Sequence, residues 1–322
     1  MNLRCIDFGN ILGAAGVQGP RFKGYWFHWP YQMMPGFNFI GMTPVDKTVV
    51  CNSRSGNVRP GFWEAIFPSW AAVRFWSCQM LNAMGLPSEG IEAAVKEEVW
   101  QNMEKPFMLS LAAVGETKGE RMEEWKKMRD CLAVAMRDFK SSFGIQINLS
   151  CPNTGQSVGT MIGESEEVLE VFAPLQVPLM PKYSIASAPV EAIVELGKNP
   201  HCDAICVSNT IPFGWDQMDW KEGWGNVSPL AHLKGGGGLS GAKILPYVLQ
   251  WIIRLRDRGF SKPINGGGGI TKPAHVDLYQ RAGASSCFLG SVATLRPWRV
   301  KSIIARANAL DWDYSPPPPL SC

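Results

Sequence analysis

Four polar side chains fall within six residues in Asn148-Leu-Ser-Cys-Pro-Asn153: carboxamides at Asn148 and Asn153, a hydroxyl at Ser150 and a thiol at Cys151. A carboxamide donates and accepts hydrogen bonds at once, and a thiolate is both nucleophile and proton acceptor. The set suits a small polar substrate that must be held and deprotonated; the alternative is a turn that these residues only shape. Two lysines offer further chemistry. Lys182 closes Pro178-Leu-Met-Pro-Lys182 and Lys47 lies in Pro44-Val-Asp-Lys47. Each reads as a Schiff-base nucleophile, an electrostatic clamp or a solvated rim lysine. Three glycine runs, Gly235–Gly241, Gly266–Gly269 and Gly290-Ser291, let backbone N–H groups approach an anion such as a phosphate.

These residues need elements to carry them. Gly144-Ile-Gln-Ile-Asn148 alternates apolar and polar residues like a strand and is stopped by Pro152 and Gly155, so its polar residues are delivered at its C-terminal end. Eight short apolar runs recur: Ile11–Ala15, Phe37–Met42, Phe107–Ala113, Ile145–Leu149, Pro178–Tyr183, Ala204–Val207, Lys262–Asn265 and Ser286–Leu289. Segments of helical periodicity separate most of them: Gly90–Met103, Glu120–Lys140, Glu164–Phe172, Pro189–Lys198, Ala242–Gly259, Pro273–Ala282 and Pro297–Ala309. The alternation predicts an α/β fold, a (β/α)8 TIM barrel over residues 1–312 followed by a proline-rich tail at 313–322. The other candidate is an open doubly wound sheet, but the first strand-to-helix turn has no G-x-G-x-x-G. Long excursions are expected after strand two, from Pro44 to Ser88, and after strand six, from Ile211 to Gly241, both at the C-terminal face. The aromatics Tyr25, Trp26, Phe27, Trp29, Tyr31, Trp63, Phe67, Trp70, Phe75 and Trp76 read as packing against the barrel, or else as a contact with another subunit or redox partner.

Composition excludes several classes. Of 322 residues 46% are hydrophobic, net charge is +3, and no run of Lys or Arg exceeds two, which leaves no footprint for nucleic acid. The start lacks an apolar signal core and no apolar stretch approaches ~18 residues, so a cytoplasmic protein without membrane contact is expected. Nine cysteines without a C-x-x-C pair predict no metal centre and no disulfide framework.

Taken in order, the motifs resemble the dihydroorotate dehydrogenases, flavin barrels that oxidise dihydroorotate to orotate. Asn148–Asn153 is similar to the family's loop after strand four, where cysteine is the catalytic base of the soluble class. Asn82-Ala-Met-Gly-Leu-Pro87 resembles the segment whose Asn82 meets the pyrimidine and whose Met84, Gly85 and Leu86 backbone meets the substrate carboxylate. Lys47, followed by Arg54, Gly56 and Asn57, keeps the spacing of the lysine near substrate and flavin, and Asn209-Thr210 resembles the pair that completes the substrate site. The resemblance implies FMN against Ala14, Ala15 and Gly16, with Lys47, Thr48, Asn148 and Ser208 near the ring and Lys182 at its N1–C2=O edge. It puts the phosphate among Ser240, Gly241, Gly268, Gly269, Gly290 and Ser291. No helical pair precedes the first strand, which speaks against the quinone-using class, and the Trp-rich first segment and Phe213–Trp220 depart from the pattern.

The implied chemistry is removal of a C5 proton by Cys151 and of a C6 hydride by flavin N5, with Asn82, Asn148, Asn153 and Asn209 fixing the ring. A free thiol has a pKa of about 8.5, so the rate should rise with pH. Gly155–Gly163 reads as a mobile lid or as an ordinary surface loop. A homodimer is expected, and a separate electron-transfer subunit is a further candidate partner; fumarate would suit a lone barrel, NAD such a subunit, and quinone a membrane. The rival readings are a uracil or thymine flavoenzyme with a cysteine base, a Schiff-base aldolase using Lys182, and a silent flavin-binding subunit.

Overall fold

The apolar runs become the staves of one parallel sheet in a computed structural model that describes residues 1–33, 35–59, 61, 64, 67–149 and 158–312, with the backbone alone at 158–162. Strands covered on both faces are apolar throughout rather than alternating, and that is what the staves show. They are β1 (Ile11–Gly13), β2 (Val49–Val50), β3 (Phe107–Ala112), β4 (Phe143–Asn148), β5 (Leu179–Tyr183), β6 (Ile205–Val207), β7 (Ile264–Gly267) and β8 (Ser286–Leu289). Every residue of β3, β5, β6, β7 and β8 is buried. Their order is β1-β8-β7-β6-β5-β4-β3-β2, all neighbours parallel. Ahead of β2, Thr43 bridges Leu12 and Val45 bridges Met108, so this segment touches both β1 and β3. The arrangement is a TIM-barrel-like α/β fold.

The second stave differs from expectation. Phe37–Met42 forms no strand: the Met42 N–H donates to Phe39 at 3.2 Å, Gly41 has φ +85° and Ile40 is 81% exposed. Its aromatics serve a different cluster, in which His28 lies 5.0 Å from the Phe37 ring and 5.7 Å from that of Phe39. The stave instead runs through Thr43–Val50 and carries Asp46 and Lys47, polar residues that hide it from a search for apolar runs.

Helices α1 (Ile91–Lys96), α2 (Lys118–Ala135), α3 (Val158–Phe172), α4 (Val190–Leu196), α5 (Leu245–Asp257), α6 (Pro273–Arg281) and α7 (Val300–Asn308) accompany the staves. The start of α2 is fixed by a capping box: Thr117 Oγ1 accepts from Glu120 N at 3.2 Å and Glu120 Oε2 accepts from Thr117 N at 3.0 Å. Its buried stripe Trp125, Met128, Leu132 and Ala135 faces the sheet at helical spacing. Inside the sheet Leu12, Val45, Met108, Met180, Ala204, Cys206 and Phe288 form a second core, each large side chain contributing about 1.5–3 kcal/mol.

Residues between the staves form a second sheet. Ala71–Arg74 and Gln79–Asn82 make a hairpin, Gly238–Gly241 pairs antiparallel with its second strand, and Ile211–Pro212 completes the edge. Helix α3 begins at Val158, so the second half of Gly155–Gly163 is helical, while Gly155–Ser157 lies outside the described residues. The helix is anchored by Arg121, whose Nε and Nη2 donate to Glu164 at 2.6 and 2.7 Å, and by the Tyr183 hydroxyl donating to Ser165 at 2.9 Å. The aromatics divide: Tyr25, Phe27, Phe37 and Phe39 surround the buried His28, whereas Trp29 and Trp76 are exposed. Trp63 and the tail at 313–322 lie outside the described residues. Among the described residues no helix is long and apolar enough to cross a membrane.

Candidate active site

Polar residues gather at or just past the C-terminal ends of three neighbouring staves, β4, β5 and β6. In register, Asn148 of β4 lies beside Lys182 of β5, and Lys182 beside Cys206 of β6. Just past β6, Asn209 Nδ2 donates to Asn148 Oδ1 at 3.1 Å, while Asn209 Oδ1 accepts from Thr210 N at 2.9 Å. Ser208 ties the turn down: its N–H donates to Gly267 at 2.9 Å, and its hydroxyl donates to Asn209 O at 2.6 Å and accepts from Ile185 N at 3.2 Å. Lys182 is 6% exposed and its Nζ sits 5.6 Å from the Phe288 ring centroid. Burial lowers its pKa, with Cys206 opposing, because removing an ammonium from water penalises the charged form. Cys206 itself is pushed up to about 12 by burial and is therefore a thiol, not a base at neutral pH.

The glycines approach one another as the runs suggest. Gly16, at φ +79°, is so close to Lys47 that a Cβ would lie 3.1 Å from its Cβ and Cγ; a Cβ on Gly290 would lie 3.0 Å from that of Ala14. The Ala14 N–H donates to Leu289 at 2.7 Å, so the turn after β1 is held between β8 and Lys47. Ala15 packs on the inner core. Gly241, at φ +101°, and Gly269, at φ +76°, meet ahead of α5, where a Cβ on Gly269 would be 3.0 Å from Gly241 O. The Gly268 carbonyl accepts from the Tyr279 hydroxyl at 2.6 Å, and that of Gly269 contacts His275 Nδ1 at 3.0 Å. A trans peptide sets its N–H opposite its C=O, so the N–H groups of Gly269 and Ile270 turn away from these partners. Glycine N–H groups beside the start of a 13-residue helix fit a phosphate. Ser240 instead donates to Met80 O at 3.2 Å within the second sheet, and Ser291 O accepts from Leu295 N at 2.8 Å in a single helical turn.

A second group comes from residues between β2 and α1; the excursion expected from Pro44 does not start at that residue, because Pro44–Val50 belongs to the second stave. Met84 O accepts from Asn57 N at 2.9 Å and Ala83 O from Asn57 Nδ2 at 2.6 Å; Gly85 and Leu86 have φ of +73° and +53°. Asn82 lies opposite Gly238, where a Cβ would come within 2.2 Å of Thr210 Oγ1. The Lys47 ammonium donates to Pro87 O, tying the stave to this wall, and Thr48 Oγ1 lies 2.9 Å from Ser110 Oγ. Burial lowers the Lys47 pKa, with Glu89 the foremost opposing charge. The structure thus groups Asn148, Lys182, Ser208, Asn209 and Thr210 on one wall, Lys47 and Asn82–Leu86 on another, and the glycines beside them. Cys151 and Asn153 lie outside the described residues.

Sequence reasoning missed the support behind Lys47. Asp46 is fully buried and bonded to Arg21 and Trp100, and the Tyr25 hydroxyl donates to Gly16 O at 2.9 Å. The Tyr25 pKa is pushed up to about 12 by burial, with Asp46 adding to it. The overlooked signal was a carboxylate one residue before Lys47 in an apolar stave, which must find partners to be buried.

Comparison with known proteins shows the family to which the chain belongs. The sequence profile of the family described as dihydroorotate dehydrogenase matches residues 36–309. The catalytic subunit of dihydroorotate dehydrogenase B (NAD(+)) from Geobacillus kaustophilus is 29% identical over 239 residues, 72% of this chain and 70% of that protein. Its counterpart from Bacillus caldolyticus is 30% identical over 239 residues, with the same coverage. Dihydroorotate dehydrogenase A (fumarate) from Limosilactobacillus reuteri is 27% identical over 270 residues, 80% of this chain and 78% of that protein. The chain belongs to the dihydroorotate dehydrogenase family and is an oxidoreductase acting on CH–CH bonds.

Proposed function

We propose that the chain oxidises dihydroorotate to orotate with FMN, Cys151 accepting the C5 proton. FMN, when bound, supplies the acceptor for the C6 hydride. The convergence of Asn148, Lys182 and Asn209 at the ends of three adjacent staves, beside converging glycines, carries this reading. Asn148 and Asn209, fixed against one another, orient the pyrimidine together with Asn82, Asn153 and Thr210. Lys47 and the Met84–Leu86 backbone face the substrate carboxylate. Lys182, with Thr48 and Ser208 nearby, stabilises negative charge at the flavin N1–C2=O edge. Ala14, Ala15 and Gly16 would border the flavin, and Gly241, Gly268, Gly269, Gly290 and Ser291 would hold its phosphate, whereas the Ser240 hydroxyl is committed to Met80 O. Orientation of this kind matters because hydride transfer requires reacting atoms about 3–3.5 Å apart.

The test is the absorbance of the purified protein. Flavin bands that bleach anaerobically with dihydroorotate, and less readily with dihydrouracil, are expected. A colourless protein whose Lys182 is trapped by borohydride with an aldehyde substrate would reject the reading in favour of an aldolase.

A further inference from the structure

Asp46 directly precedes Lys47, and a buried carboxylate beside an ammonium ordinarily pairs with it. Here it does not. Asp46 Oδ1 accepts from Arg21 N at 2.8 Å and from Lys47 N at 2.7 Å; Oδ2 accepts from Trp100 Nε1 at 2.7 Å and from Arg21 Nη1. Both oxygens are therefore occupied, none of the donors is the Lys47 ammonium, and that ammonium turns to Pro87 O. Arg21 reaches this position at a cost, since Arg21 and Phe22 have φ of +49° and +58°. Residues outside glycine keep such a conformation only where surrounding contacts over-determine it. Those contacts are present: the Arg21 guanidinium is 5.3 Å from the Trp100 ring centroid, and its Nη2 donates to Glu89.

From this we infer that Arg21 is a specificity-determining positioning residue: by occupying Asp46, it leaves the positive charge of Lys47 for the carboxylate of the substrate. Asp46 anchors the backbone of Lys47 and acts on its ammonium only through space, and Glu89, the stronger of the two carboxylates acting on that ammonium, is itself hydrogen-bonded by the Arg21 guanidinium. Glu89, on the same guanidinium, is held next to the wall that ends at Pro87. The inference rests on the proposed seating of a carboxylate-bearing pyrimidine beside Lys47.

Titration of the FMN-loaded holoenzyme with orotate and with its uncharged methyl ester, followed by flavin absorbance, tests it. Wild-type protein that binds neither compound would refute the proposed function itself, before any variant is made. In Arg21→Gln the side chain still donates to Asp46 but leaves its charge uncompensated, so Lys47 is drawn to Asp46. Orotate affinity should fall about tenfold or more while methyl orotate changes by less than about threefold. Arg21→Lys should restore most of the orotate affinity, and Arg21→Gln/Asp46→Asn, which removes the competing carboxylate, should return it to within about threefold of wild type. With dihydroorotate the loss should appear in KM more than in kcat. Equal losses for orotate and its ester, or a double variant as weak as Arg21→Gln, would overturn the inference. If Arg21→Gln does not accumulate as a folded flavoprotein, the double variant decides alone: ester binding retained with orotate binding lost refutes the role.

Discussion

Asn209 Nδ2 donates to Asn148 Oδ1 at 3.1 Å, a bond that spans from the turn after β6 to the end of β4 and passes over the stave that carries Lys182. Asn209 is pinned at its other end by Thr210 N at 2.9 Å. Two carboxamides thus share one orientation, set by backbone that belongs to three different staves. Their rigidity is inherited from the sheet, the arrangement a site needs if its ligand is to be held within a fraction of an ångström.

Asn209→Leu should leave both Thr210 N–H and Asn148 Oδ1 without their partner. These groups are half-buried, and loss of one positioning hydrogen bond is worth about 0.5–1.5 kcal/mol, so kcat/KM for dihydroorotate should fall between about twofold and tenfold. FMN content should stay near that of wild type, since the glycine cradle is untouched. Steady-state kinetics alongside flavin quantification checks this; unchanged kcat/KM would remove Asn209 from the substrate site.

Lys182→Met should separate stability from cofactor binding. Burial lowers the lysine's pKa below its ordinary 10.5, so between the lowered folded value and 10.5 the unfolded chain binds more protons than the folded one. Stability of the apoprotein should therefore rise with pH through that window, and the methionine variant should lose this dependence. Urea unfolding of both apoproteins at neutral and alkaline pH reads the slope. The variant should also bind FMN more weakly; a fully yellow, fully active Lys182→Met protein would refute the role of Lys182 at the flavin.

Cys151→Ala should retain FMN and lose about a hundredfold to ten-thousandfold in turnover, the usual worth of a positioned general base. With an ordinary thiol near 8.5, wild-type kcat should climb with pH up to that region, and Cys151→Ser should need still higher pH. A flat wild-type profile together with an active Cys151→Ala variant would exclude this thiol as the base.

Much of the fold could be read in advance because fully buried staves such as Phe107–Ala112 and Leu179–Tyr183 are apolar without interruption and their helices repeat every three or four residues. The second stave could not, since it carries Asp46 and Lys47 while the neighbouring apolar run Phe37–Met42 packs around His28 instead. The same asymmetry marks the site. Lys47 and Lys182 stand out as residue types, but Arg21 is separated from Asp46 by 25 positions and becomes a partner only through long-range folding. Ser240 shows the converse: its motif suggests a phosphate contact, yet pairing of Ser240 with Met80 commits its hydroxyl to a backbone carbonyl.

Gly241→Ala should weaken the cofactor site. At φ +101° a side chain is strained, and the added Cβ would lie 2.1 Å from Cys78 O, a backbone atom that can move only with its hairpin. Strain of this class costs about 1–3 kcal/mol before the clash is counted. The variant should melt lower and purify with less FMN; Gly259→Ala, also at positive φ but with open space around its Cβ, should melt lower while keeping its flavin. Equal flavin content in the two variants would show that the Gly241 turn does not serve the cofactor.

His28 gives a pH dependence whose sign is fixed by burial. Its ring is surrounded by those of Tyr25, Phe27, Phe37 and Phe39, and burial among them depresses its pKa from 6.5 to about 4 against an opposing contact with the Ala293 backbone. Above pH 6.5 the ring is neutral in both folded and unfolded chains and nothing is lost. As pH falls from 6.5 towards 4 the unfolded chain takes up the proton first, and the folded state loses up to roughly 3 kcal/mol. His28→Phe should abolish that loss, because an uncharged ring of similar shape fills the same aromatic cluster. Denaturant unfolding of both proteins at pH 7 and pH 4.5 should therefore converge on different answers: a gap that favours the phenylalanine variant in acid and shrinks at neutrality. A gap that does not change with pH would mean that this histidine contributes packing alone; Asp46 cannot supply an acid loss in its place, because burial raises its folded pKa and so favours the folded state as pH falls.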